Sequence, residues 1–205
     1  RVQALRKFID YIQGFEGVWC PRRIDIARHW QATQPARKRL RPSHMDRATF
    51  LDHFGGIFEH SEFLAARAFE LELGPAHDSA AGLHSALARM FRRASHDERM
   101  GVLRAHPDLA GKLAAAKRLT ADSTAEQASV GLDALTDAER AQFDAYNTSY
   151  VRKHGFPFII AVKDHDKAGI MRAFERRIAN PTDVEYEEAC RQVERIARLR
   201  LDALL

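Results

Sequence analysis

A chain of 205 residues that is 45% hydrophobic and 29% charged is long enough to bury a sizeable core and short for two full domains. With no apolar run near bilayer-spanning length and no signal-peptide pattern, it reads as a soluble, cytoplasmic protein rather than a membrane one. Its two cysteines, Cys20 and Cys190, lack a His/Cys cluster at finger spacing, which argues against a disulfide scaffold and a metal site, and a net charge of +4 scattered among Arg/Glu neighbours does not call for nucleic acid.

The chain starts at Arg1 already in a helical pattern, Val2, Leu5, Phe8, Ile9 and Ile12, with no cap before it, and so reads as cut from something longer. That helix spans 2–13. Pro21 suits the first residue of a second helix carrying Ile24, Ile26, Ala27 and Trp30. Residues 34–45 then break the periodicity with two prolines around a basic run, marking a linker between residues 1–33 and a main domain at 46–205. A nucleic-acid module built on 37–41 ranks last, because no aromatics interleave with its basic residues. Beyond the linker, caps punctuate the chain. Ser61 opens 62–72, which Gly74-Pro75 closes; Asp78 opens 79–94; Ser95 opens 96–104; and a helix over Leu109, Leu113 and Ala116 comes after the break at His106-Pro107. Ser123 with Glu126 forms a capping box, as does Thr136 with Glu139 for a long helix ending at Gly155. Asn180-Pro181-Thr182 separates 166–179 from a terminal helix at 183–204. The one β-like run, 156–162, is too isolated to build a sheet, so the fold class is all-α, a helical bundle.

Chemistry is sought where a polar residue takes a core position. In the terminal helix the stripe Ala189, Val193, Ile196, Ala197, Leu204 includes Arg200, while Arg191, Arg195, Arg198 and Asp202 fall opposite. Two readings of Arg200 stand side by side: a stem that snorkels to water, or a buried guanidinium that needs an anion such as a substrate carboxylate. His106, at a helix junction, is either a capping imidazole or one that points into a cleft. The Ser123 to Glu126 box is explained by structure alone, yet a helix start also offers N–H groups to a ligand. Gly155-Phe-Pro-Phe158 reads as a C-cap with a stiff aromatic turn whose backbone can meet a planar ligand. Asn147, in the stripe of Phe143, Tyr146, Tyr150, Val151 and His154, reads as a group tying down a loop.

Taken in order, Ala105-His-Pro-Asp-Leu-Ala-Gly-Lys112, Ser123-Thr-Ala-Glu-Gln127, the run from Asn147 to Ile160 and the closing Ile196-Ala-Arg-Leu-Arg-Leu201 resemble the 2-oxo-4-hydroxy-4-carboxy-5-ureidoimidazoline (OHCU) decarboxylases of uric acid degradation. The resemblance runs from residue 46 to the C-terminus and includes Gly55-Gly-Ile-Phe-Glu-His60. It implies an all-α homodimer without a cofactor, acting on the small molecule OHCU and yielding S-allantoin. It assigns a catalytic group of His106, Glu126 and Arg200, with Pro107, Ser123, Gln127, Phe158 and Ile159 holding the ligand. In this scheme Arg200 binds the anion, His106 hydrogen-bonds the substrate hydroxyl and shuttles the proton, and Glu126 holds that hydroxyl or the ureido N–H groups. The chain departs from the family pattern at Ser61-Glu62-Phe63 and at Lys153-His154, outside the catalytic trio.

Residues 8–30, from Phe8-Ile-Asp-Tyr11 to Val18-Trp-Cys-Pro-Arg-Arg and His29-Trp30, resemble the end of the polysaccharide-deacetylase-like allantoinases. That likeness implies a fused or associated allantoinase domain and a bifunctional protein. The alternative is a non-catalytic helical scaffold that dimerises the attached allantoinase.

Overall fold

The computed structural model describes residues 2–19, 21–33, 40–110 and 120–205, which divide into two compact units, Arg1–Arg39 and Leu40–Leu205. Cys20, the basic residues 37–39 and the helix expected over Leu113 and Ala116 lie outside the described residues. No helix among those described is long and apolar enough to cross a membrane.

The first unit holds α1 (Val2–Gln13) and α2 (Arg23–Thr33). The amphipathic stripe of α1 is as the periodicity predicts, but Val2, Leu5, Phe8 and Ile9 are exposed, and neither helix buries a residue. Pro21 precedes α2 instead of starting it; Asp25 accepts hydrogen bonds from the backbone and side chain of Arg22.

The second unit begins with a 3-10 turn at Pro42–His44 and continues through α3 (Arg47–Phe54), α4 (Glu62–Phe69), α5 (Ala80–Arg93), α6 (His96–Ala105), α7 (Ala121–Ala128), α8 (Asp137–His154), α9 (Lys167–Ile178) and α10 (Thr182–Leu204). The fold is all-α: the described residues contain no strand, and of the β-like run 156–162 residues 157–161 are neither helix nor strand while Val162 opens a 3-10 turn, Val162–Asp164. Helix α10 packs against α5, α6 and α8, placing Ala189, Val193, Ala197 and Leu201 in a core with Phe50, Phe54, Leu87, Phe91, Phe143, Tyr150 and Phe174. In the stripes assigned from periodicity, Leu204 and Val151 are exposed; Leu201 takes the inward place at the end of α10, and Asn147 the one in α8.

The caps follow the sequence in part. Ser95 with Glu98 and Thr136 with Glu139 form reciprocal capping boxes. Gly155 ends α8 in the left-handed region at φ 80°, where a side chain would be strained. Helix α4 stops at Phe69, short of 72, because the chain reverses through Glu72 at φ 54°. Ser61 occupies the α4 cap position but turns its hydroxyl to the Glu59 carbonyl. Asp78 does not cap α5; its carboxylate accepts from the Ser43 N–H and hydroxyl, leaving Ser79 to cap Gly82.

Helix α5 starts hard against the 3-10 turn Pro75–Asp78. A Cβ on Gly82 would lie 1.8 Å from the Ala76 carbonyl oxygen, so backbone must move to admit it. We expect Gly82→Ala to cost about 3 kcal/mol, the upper end of ordinary overpacking, read as a lower urea midpoint at unchanged slope. An unchanged midpoint would mean that the turn slips freely.

Candidate functional site

Helix α7 starts three residues earlier than the expected Ser123 box. Thr120 is its N-cap and accepts from the Ser123 N–H at 3.3 Å. Ser123, Glu126 and Gln127 therefore stand on one helical face at i, i+3 and i+4, their side chains free for other partners. The Ser123 hydroxyl donates to the Glu59 carboxylate, 2.6 Å from its nearer oxygen, and Thr120 donates to the same carboxylate at 2.6 Å. Glu126 reaches Arg200.

Arg200 does not snorkel. It is 5% exposed, with Nε 3.0 Å and Nη2 2.9 Å from the two Glu126 oxygens, and Nη2 also 3.0 Å from Glu59. Nη1 lies 3.4 Å from the carbonyls of Gly56 and Ile57. The buried guanidinium thus has the anion that physics demands, supplied by the protein itself through a two-pronged contact. Burial works against its charge, but Glu126 and Glu59 outweigh burial and hold it protonated. Burial likewise opposes the Glu59 carboxylate, and the hydrogen bonds of Ser123 and Thr120 with the Arg200 charge win, keeping it below the usual carboxylate range.

His106 is both a cap and a cleft residue. It ends α6, and its Nδ1 lies 3.0 Å from the Val102 carbonyl. A carbonyl only accepts, so Nδ1 carries the hydrogen and Nε2 is the nitrogen left with a lone pair. Burial lowers the imidazole's pKa, against the opposing pull of the Val102 hydrogen bond and the Glu59 charge, so the ring is neutral at pH 7. The loop after it is latched twice. Gln127 accepts from the Ala110 N–H at 2.9 Å, and Asn147 donates to the Leu109 carbonyl at 2.9 Å, as its place in the stripe suggested.

The structure brings His106, Pro107, Ser123, Glu126, Gln127, Phe158, Ile159 and Arg200 to the lining of one cavity of about 30 Å³. Glu59, the residue that sequence reasoning missed, lines it too. It follows the run Gly55-Gly-Ile-Phe58 and is buried against Thr120, Ser123 and Arg200. Among the described residues no group of three or more His, Cys, Asp or Glu side chains could hold a metal ion. The arrangement offers a cation held by two carboxylates, of which Glu126 is the more exposed, and a neutral imidazole lining the same cavity: the equipment to bind an organic anion and move a proton.

Residues 43–202 match the family model described as OHCU decarboxylase. The 2-oxo-4-hydroxy-4-carboxy-5-ureidoimidazoline decarboxylase of Haloferax volcanii is 38% identical over 157 residues, covering 77% of this chain and 89% of that protein. The mouse protein of the same description is 32% identical over 161 residues, 78% of this chain and 89% of that one. The uric acid degradation bifunctional protein PucL of Bacillus subtilis is 34% identical over 157 residues, which are 77% of this chain and 30% of PucL. Among solved structures, an (S)-allantoin synthase superposes with a TM-score of 0.62 at 26% identity, over 80% of this chain and 52% of that one. An OHCU decarboxylase crystallised in the presence of (S)-allantoin shares the fold at a TM-score of 0.53 and 21% identity, over 70% and 91% of the two chains.

Proposed function

Because the chain belongs to the OHCU decarboxylase family, and is thereby a carboxy-lyase of uric acid degradation, we propose that it converts OHCU to S-allantoin without a cofactor, through His106, Glu126 and Arg200. The observation that carries this reading is the buried Arg200, paired with Glu126, sharing a cavity with a neutral histidine.

The substrate supplies its own electron sink. Its carboxylate sits on a hydroxyl-bearing ring carbon next to a C=N bond, so the pair released when the C–CO2 bond breaks forms a C=C bond, and the displaced C=N pair takes up a proton at nitrogen. The resulting enol loses its hydroxyl proton as the ureido-bearing carbon gains one, giving allantoin with net uptake of one proton per CO2. Arg200 orients the carboxylate. His106 Nε2 accepts the hydroxyl proton and passes a proton to one face of the ring, which makes the product S. Glu126 holds the hydroxyl or ureido N–H groups, and Ser123, Gln127, Pro107, Phe158 and Ile159 confine the ring.

The Arg200 guanidinium is already held by two protein carboxylates, so a substrate carboxylate must displace one of them to reach it. Glu126, 12% exposed, is the Arg200 partner able to yield; Glu59, at 2%, stays as the permanent counter-ion. Exchange of Glu126 for the substrate carboxylate keeps the guanidinium paired throughout and turns Glu126 toward the substrate.

The test is direct. Purified chain mixed with freshly made OHCU should speed its loss of ultraviolet absorbance and build optical activity. Decay at the buffer rate would remove the activity, and racemic product the stereochemical role.

The finer reading makes residues 1–33 the closing remnant of an allantoinase-like domain, 34–45 a linker, and 46–205 the decarboxylase, which acts as a homodimer in the cytoplasm. Supporting it are a first unit ending at Arg39, a family match starting at residue 43 and bifunctional relatives in the same pathway. An immunoblot of the source cells that shows no species longer than the 205-residue chain would remove the fusion, and a monomer in sedimentation would remove the dimer.

A further inference from the structure

A second buried ion pair lies outside the proposed catalytic group. Arg177 of α9 and Glu185 of α10 are 3% and 0% exposed, joined by Arg177 Nε to Glu185 at 2.8 Å. Glu185 also accepts from the Tyr150 hydroxyl and, at 2.9 Å, from Asn180. The outer prong of the same guanidinium, Nη1, donates to the Ile159 carbonyl at 2.8 Å, and its centre lies 4.5 Å over the Phe158 ring, which stacks on Phe174.

We propose that the Arg177–Glu185 pair is a positioning device that sets the ligand-facing segment 158–160; this rests on the functional reading above, in which Phe158 and Ile159 meet the substrate. Three features support it. Stability alone is a poor reason to keep such a pair, since buried ion pairs are often replaced by apolar residues without loss. The segment lies in neither helix nor strand and is buried, so the Ile159 carbonyl would be orphaned without Arg177. A planar fork can hold a carboxylate and a carbonyl at once, where a lysine must choose.

The geometry has a consequence for the wall of the cavity. With all peptides trans, fixing the Ile159 carbonyl toward Arg177 turns the Ile160 N–H to the opposite side of the segment. Two residues on, the Ala161 N–H donates to Gln192 of α10 at 2.9 Å, a second tether. Phe158, Ile159 and Ile160 all line the cavity, so the position of this stretch is its shape.

Two variants of the full chain test the proposal: Arg177→Lys, which keeps the charge and removes the fork, and Arg177→Met with Glu185→Gln, which removes both charges and leaves Tyr150 an acceptor. In whichever remains helical, amides of 158–161 should exchange at least ten-fold faster while those of α10 keep their protection. The KM for OHCU should rise ten-fold or more, and the shape of the pH profile should persist. A folded variant with wild-type exchange, or with wild-type KM, overturns the proposal. If the wild-type chain fails to decarboxylate OHCU, the functional reading falls by itself, and the exchange rates still decide whether Arg177 holds the segment.

Discussion

Replacing Arg200 by lysine is expected to lower kcat/KM for OHCU by about a thousand-fold, a loss of about 4 kcal/mol in transition-state stabilisation. The charge survives, but a compact ammonium cannot span both Glu126 oxygens, reach Glu59 and accept a substrate carboxylate in their place. Arg200→Ala should go further. It leaves the buried Glu59 without its cation, which costs about 3–5 kcal/mol of stability. The pair of variants separates the roles: urea unfolding should find the lysine protein close to wild type and the alanine protein badly weakened, while both lose activity. A folded Arg200→Lys enzyme with wild-type kcat/KM would end the anion-binding role.

His106→Asn is expected to lower kcat by about a hundred- to ten-thousand-fold, the usual range for a lost proton-transfer group. The amide can still bond the Val102 carbonyl, so α6 keeps its end, and it cannot titrate. The wild-type pH profile is set by burial. Burial lowers the His106 pKa from its ordinary 6.5, so the neutral ring persists below that value, and the acid limb of kcat/KM should have its midpoint below 6.5. The stability contribution has the same sign: the unfolded chain binds the proton more readily, so stability is complete above 6.5 and declines as pH drops beneath it. In the asparagine variant the acid limb of the residual activity should vanish. An acid limb centred above 6.5, or one unchanged in His106→Asn, would mean that another group moves the proton.

The helices were legible because their signals are local. Ser95 with Glu98, Thr136 with Glu139 and Gly155 each act within one turn, and each stands where the sequence puts it. Ser123 with Glu126 carries the same local signature and misleads, since Thr120, three residues earlier, takes the cap, and partners 64 and 74 residues away in sequence recruit the two side chains. Periodicity found Arg200 because it looks for a charge in an apolar stripe. Asked of the stripe Ile170, Ala173, Phe174, the same question picks out Arg177, and it picks out Glu185 one turn before Ala189. Glu59 was beyond its reach: it lies between α3 and α4, where no helical period applies, and only tertiary packing buries it.

The hydroxyl of Thr120 links two scales of order. It closes the first turn of α7 by accepting from Ser123, and its own proton goes to Glu59, so a single atom belongs both to a helix end and to the charge cluster. Helix ends fray more readily than cores open, yet here the first unwound turn would strip the permanent counter-ion of Arg200 of one of its donors. The secondary structure and the electrostatic site therefore form one cooperative unit: whatever loosens α7 from its start also unlatches the anion cluster, and a ligand that tightens the cluster winds the helix shut.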